Sequence, residues 1–167
     1  DVINAFYHYQ KYYNPDSRLI LVGSYFNMEG YYEQLRDYVQ KLGAKDVVFT
    51  GHVSFEKMLG CYHGADLFLC MSEHEGFCVP LLEAMYFDIP IVAYQSSAIG
   101  YTLGGSGILL DKKNPLETAG VMDKVIRDEA LRNRILSKQR KRLQDFGKER
   151  TERLFMEKIE GFLKNEG

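Results

Sequence analysis

The sequence predicts an α/β protein: a Rossmann-like parallel sheet with helices on both faces. Three observations predict it. Short apolar runs of the kind that buried parallel strands show alternate with helix-length amphipathic segments. The loops that join them are short. After Asp111 the alternation gives way to helices alone.

The elements follow in order. Residues 1–13 place Val2, Ile3, Phe6, Tyr9 and Tyr13 at helical spacing, and Asn14-Pro15-Asp16 ends that helix. The run 18–23 (RLILVG) reads as a buried strand closed by Gly23. A polar loop, 24–30, leads to a helix at 31–42 that stops at Gly43. A second strand at 46–49 ends in Thr50-Gly51, and Ser54 caps a helix running to about His63. Residues 67–70 form a third strand. Pro80 suits the first turn of the next helix, which runs to about Phe87. A strand at 91–94 is followed by a Gly/Ser-rich loop and a short strand at 107–110. Asn114-Pro115-Leu116-Glu117 supplies an N-cap, an N1 proline and an acidic N3 residue, and helices fill 115–165 with a break near Gly147.

Composition narrows the function. The 167 residues fit a single domain, 1–167, with 46% apolar and 26% charged residues. A net charge of −2 gives no general attraction to nucleic acid or anionic lipid. The basic run 138–142 (KQRKR) has acidic residues on both sides and reads as a solvated helix face. Cys61, Cys70 and Cys78 form no C-x-x-C pair and read as reduced thiols of a cytoplasmic protein. No apolar run approaches the roughly 20 residues of a transmembrane segment, and no signal peptide is expected. The chain opens without Met and already in helical register. A segment upstream is therefore expected to be missing.

Ligands of open parallel sheets bind beyond the carboxyl ends of the strands. The densest site signal lies there, in residues 72–85 (SEHEGFCVPLLEAM). A turn through Gly76 lets backbone approach a ligand. The helix starting near Pro80 points free N–H groups and partial positive charge at that turn, a site suited to a diphosphate. Glu83 stands in an otherwise apolar stretch one turn into this helix, and its side chain leans back toward the turn. A carboxylate there accepts hydrogen bonds from a vicinal diol such as ribose. Glu75, before the helix, faces sugar hydroxyls on the other side of the phosphates. Two carboxylates bracketing a helix N-terminus match a ribose–diphosphate–sugar ligand.

The run EGFCVPLLEAM, with Glu75 and Glu83 in E-x7-E spacing and Ile89-Pro90-Ile91-Val92-Ala93 behind it, resembles the signature of the retaining GT-B glycosyltransferases (group 1, family 4-like), which include sucrose and glycogen synthases and mannosyltransferases. Supporting matches run from Leu19-Ile20-Leu21-Val22-Gly23 through Val48-Phe49-Thr50-Gly51-His52-Val53 and Ala65-Asp66-Leu67-Phe68 to Gly107-Ile108-Leu109-Leu110, so the resemblance covers roughly residues 1–146. It implies the C-terminal half of a GT-B fold. Glu83 would hold the donor ribose and Glu75 would contact the donor sugar at its reacting face. Backbone N–H groups of Gly76, Phe77 and Cys78 would touch the sugar. Those of Val79 and Leu81 would approach the diphosphate, Leu81 being the better donor. Gly51 and Val53 would border the base through their backbone. The donor is then a substrate; no cofactor and no metal are expected, and the sequence has no D-x-D.

Departures from the family pattern matter. Cys78 stands where members usually carry Gly, and Asp88 where they carry Gly or a small residue. Cys78 is expected to crowd the sugar pocket. Ile99-Gly100-Tyr101 replaces a usual acidic residue after the Ile-Pro strand. The resemblance implies that the family's basic G-R-x-x-x-K-type segment would lie just before residue 1, and that segment and the acceptor-binding N-terminal domain are expected to be missing here. The chain alone is therefore expected to be inactive.

Other features have plainer readings. His52 either borders the base or is an exposed loop histidine; no histidines show metal spacing. The tyrosines at 7, 9, 12, 13, 31 and 32 read as packing and amphipathic surface. Leu154, Phe155, Ile159 and Phe162 are expected to form a partly exposed stripe on the last helix. A non-catalytic nucleotide-sugar-binding or partner-docking domain of the same fold is the alternative function. A GT-B epimerase or phosphorylase is a third.

Overall fold

The computed structural model describes residues 1–165. Its elements run α1 (Val2–Tyr12), β1 (Leu19–Val22), α2 (Glu29–Leu42), β2 (Val47–Gly51), α3 (Phe55–His63), β3 (Phe68–Cys70), α4 (Val79–Tyr86), β4 (Ile91–Tyr94), α5 (Ile99–Leu103), β5 (Ile108–Leu110), α6 (Pro115–Arg127), α7 (Glu129–Gln144) and α8 (Lys148–Asn165). Every strand pair is parallel. Ser54 accepts from Lys57 N–H at the head of α3, and Asn114 accepts from the N–H groups of Leu116 and Glu117 at the head of α6. The break between α7 and α8 spans Gly147.

β4 shows why the layers form. Ile91, Val92 and Ala93 are all fully buried, and alternate residues face opposite sides. Ile91 and Ala93 pack with Leu81 and Met85 of α4 and with Ile99 and Leu103 of α5. Val92 packs with Val125 of α6 and Ile135 of α7. A strand apolar on both faces thus draws helices to both, as the sequence predicts. A third cluster seats α1 on α6 through Ala5, Tyr9, Ala119 and Met122.

Two expectations are corrected. The strands do not form one sheet. β1 pairs only with β2, while β3, β4 and β5 form a separate sheet in that order. Among the described residues β1 and β3 share no ladder, so each leaves an unpaired edge. Between them opens a cavity of about 500 Å³ lined by Leu21 of β1 and Phe68, Leu69 and Cys70 of β3. The β1–β2 unit is held to α1 by Gln10. Its Oε1 accepts from Lys45 N–H at 2.8 Å and its Nε2 donates to Lys45 O and Ser17 O.

The Gly/Ser-rich stretch before β5 is also not all loop, because it contains α5. That helix has five residues and no side-chain cap. Burial of Ile99, Thr102 and Leu103 holds it, a tertiary effect that outweighs weak local propensity. On α8, Leu154, Phe155, Ile159 and Phe162 are exposed, as expected.

Candidate functional site

The loop between β3 and α4 is pinned by the loop and helix that follow β4. Ser96 Oγ donates to Ser72 O, Ser97 Oγ to Glu73 O at 2.9 Å, and Thr102 Oγ1 to Phe77 O at 2.6 Å. Ala98 N–H donates to Glu75 O, and Glu75 N–H to Ser97 Oγ. These bonds turn four loop carbonyls toward α5. The N–H groups of Gly76, Phe77, Cys78 and Val79 are left without a partner among the described residues. Unpaired donors in succession at a helix start form an anion-binding concavity.

One detail differs from the sequence reading, the state of the Leu81 N–H. The left-handed residue of the turn is Cys78, with φ 63°. A Cβ at Gly76 would meet nothing within 4 Å. Asp88, the other departure from the family pattern, also has positive φ, at 54°. Glycine adopts that region without strain, whereas Cys78 and Asp88 each hold a Cβ there. The Leu81 N–H is not free. It donates to Cys78 O at 3.0 Å, closing the first turn, and the Leu81 side chain is fully buried. Val79 is the donor left at the helix start.

Glu75 is half-buried and lines the cavity between the sheets, together with Cys70, Ser72, Cys78 and Pro80. Cys78 sits in the core beside Cys70. Burial first, then the neighbouring Cys70 and Glu75, pushes its thiol up to about 12. The thiol is therefore neutral at pH 7. Phe77 turns away from the cavity and meets the ring of Phe146 edge-on at 5.4 Å.

Glu83 lies on the other side of α4, outside the cavity lining. Its Oε2 accepts from the Tyr62 hydroxyl of α3 at 2.6 Å. Burial, with the Glu83 hydrogen bond next, pushes the Tyr62 phenol above its ordinary value. Gly51 and Val53 lie just before α3, at the end of β2 and in the loop beyond. Gly51 has φ +65°, and a Cβ there would lie 3.2 Å from the Tyr25 ring. His52 is exposed. The structure thus brings Glu75 and Cys78 together on one side of α4 and sets Glu83 toward α3 on the other.

Sequence reading missed the pins and one cation. Lys113, after β5, lies over the Tyr94 ring at 4.8 Å and donates to Glu73 Oε1 at 3.0 Å. That contact holds the Glu73 carboxyl below its ordinary value. Serines in a loop, and a lysine about 40 positions from its partner, carry no local signal of these contacts.

Parallel strands with helices on both faces, and this turn-and-helix start after β3, define a Rossmann-like α/β domain. The chain belongs to the family described as Glycosyl transferases group 1, whose model matches residues 1–142. It is 30% identical over 103 residues to D-inositol 3-phosphate glycosyltransferase of Corynebacterium jeikeium, covering 60% of this chain and 25% of that protein. The fold is that of Anabaena Alr3699/HepE, solved with UDP and glucose, at TM-score 0.80 and 23% identity over 96% of this chain and 44% of that one. It also matches the C-terminal domain of the Francisella tularensis group 1 glycosyl transferase LpcC at TM-score 0.71 and 25% identity, covering 86% of this chain and 75% of that one. The chain spans about a quarter of the length of the Corynebacterium relative. The architecture is that of a GT-B C-terminal half. No helix among the described residues is long and apolar enough to cross a membrane.

Proposed function

We propose that this chain is the donor-binding half of a retaining, metal-independent glycosyltransferase that moves a hexosyl unit from a nucleotide-diphosphate sugar to an acceptor. The observation that carries the reading is the row of unpaired N–H groups from Gly76 to Val79, flanked by Glu75 and Glu83. The row suits the diphosphate and sugar oxygens. Glu83, beside α3 and the loop after Gly51, takes the ribose hydroxyls. Glu75 takes the sugar at its reacting face. The UDP and glucose held by the Anabaena neighbour favour a uridine donor over a guanosine one.

Catalysis on this reading is positioning plus stabilisation of the leaving diphosphate. The acceptor attacks from the face the leaving group vacates, and a leaving-group oxygen takes the acceptor proton. An opposite N-terminal domain holds the acceptor, and a basic segment immediately upstream of residue 1 neutralises the diphosphate. The three thiols fit a reaction in the cytoplasm.

Backbone amide shifts during titration with UDP, GDP, ADP and their sugar conjugates test the reading. Shifts are expected at Gly51 to Val53 and Glu75 to Glu83, and Glu83→Ala is expected to reduce them. The 167-residue chain is expected to bind weakly and to transfer nothing. Silence in a longer chain carrying the opposite domain overturns the reading. Binding without transfer in that longer chain selects the non-catalytic alternative.

A further inference from the structure

The ligand atoms of Cys70, Glu75 and Cys78 lie within 4.8 Å of one another. The three come from distinct backbone settings. Cys70 ends β3, Glu75 sits in the pinned loop, and Cys78 heads α4 in a left-handed conformation. Both cysteines are buried, Glu75 is half-buried, and all three line the cavity between the sheets. We infer that they form a binding site for a thiophilic divalent cation of the zinc class, with the fourth coordination position open to the cavity.

The donor set selects the ion. Two thiolates and one carboxylate suit zinc, whereas calcium and magnesium take oxygen ligands alone. Zinc–sulfur bonds of about 2.3 Å and zinc–oxygen bonds of about 2.1 Å set tetrahedral ligands roughly 3.5–3.8 Å apart. The trio therefore closes by about an ångström at most. Strand and helix fix the two sulfurs, so the loop carboxylate makes that movement. Binding exchanges the two thiol protons for the ion, and both protons leave to solvent. A consequence rests on the donor reading given above: a Glu75 carboxylate held by the ion is lost to the donor sugar. Cation and donor then exclude one another, and the site inhibits transfer.

Cadmium is the probe, because its thiolate complexes absorb in the ultraviolet by charge transfer. The reference is the reduced Cys61→Ser chain, which removes the third thiol. A band that saturates at one ion per chain is expected there. Cys70→Ser and Cys78→Ser are expected to abolish it. Glu75→Gln is expected to weaken cadmium binding by about tenfold or more. Absence of the band in the reference chain overturns the site, as does a band that survives both serine variants. Glu75→Gln leaves the core untouched, so an unchanged affinity in that variant also overturns the three-ligand site without depending on how the serine variants fold. A nucleotide sugar is expected to weaken cadmium binding in proportion to its own affinity. In the longer chain carrying the opposite domain, a trio-dependent band that saturating nucleotide sugar does not displace keeps the ion site and overturns the donor role of Glu75.

Discussion

The Tyr62 hydroxyl donates to Glu83 Oε2 over 2.6 Å and ties α3 to α4 across 21 positions of sequence. The bond joins the element after Gly51 to the helix that carries the unpaired N–H row. It fixes the rotamer of the carboxylate that the donor reading assigns to ribose. Tyr62→Phe removes the donor and leaves the ring, which stacks on Phe87 at 5.2 Å. The pair is half-exposed, so the expected loss of stability is about 1 kcal/mol. UDP affinity is expected to fall severalfold, and by about tenfold or more in Glu83→Ala. Urea unfolding and calorimetric titration measure the two effects. Unchanged values in both variants would remove Glu83 from the site.

Gly76 separates backbone need from ligand need. It takes no left-handed φ, and an added Cβ meets no protein atom. Gly76→Ala is therefore expected to change stability by no more than about 0.5 kcal/mol. The methyl group enters the space given to the donor sugar. UDP-glucose affinity is expected to drop by about tenfold, a cost of roughly 1.4 kcal/mol, with UDP affinity less affected. Equal affinity for UDP-glucose in the variant and the parent would mean that the sugar lies elsewhere.

Cys78 is the opposite case, because its backbone is left-handed and its side chain is buried. Cys78→Gly relieves the strain but loses packing and gains unfolded-state entropy. These oppose one another, and a net change within about 1 kcal/mol is expected. Cys78→Val adds a β-branched side chain at φ 63° and is expected to cost about 2 kcal/mol or more. Thermal or urea unfolding of the two variants compares them. A valine variant as stable as the glycine one would show that the loop relaxes out of the left-handed region.

Much of this was legible because its signals are local. Asn114 and Pro115 mark the head of α6, Ser54 marks α3, and EGFCVPLLEAM spells the turn and helix that carry the site. What was not legible depends on partners far along the chain. α5 exists because Ile99 and Leu103 find a core, and its five residues carry no cap to announce it. The division into two sheets follows from which edges find a ladder, and apolar runs do not encode that. The left-handed conformation falls on Cys78, a residue type that does not announce it. Side-chain bonds from Ser96, Ser97 and Thr102 span more than twenty positions and leave no periodic trace.

The same burial that silences Cys78 sets an alkaline limit on stability. Its thiol rises from 9.0 to about 12 in the folded chain, through burial first and then Cys70 and Glu75. Tyr62 is also raised above 10.0, through burial and then Glu83. A group with a raised folded value keeps its proton in the native state while the unfolded chain releases it. The unfolded state then binds fewer protons, so stability falls as pH rises. The contribution of Cys78 is whole below pH 9.0 and is lost progressively toward pH 12, and that of Tyr62 begins to fall above pH 10.0. Urea midpoints measured from neutral pH upward are expected to decline beyond pH 9.0. Cys78→Ser, whose hydroxyl does not ionise, is expected to flatten the first part of that decline, and Tyr62→Phe the part above pH 10.0. Alkylation supplies an independent check. Cys61 is only half-buried, so iodoacetamide at mildly alkaline pH is expected to modify it well before Cys78. A Cys78 that reacts as fast as Cys61, together with an unaltered pH slope in Cys78→Ser, would place the thiol in solvent and overturn its assignment to the core.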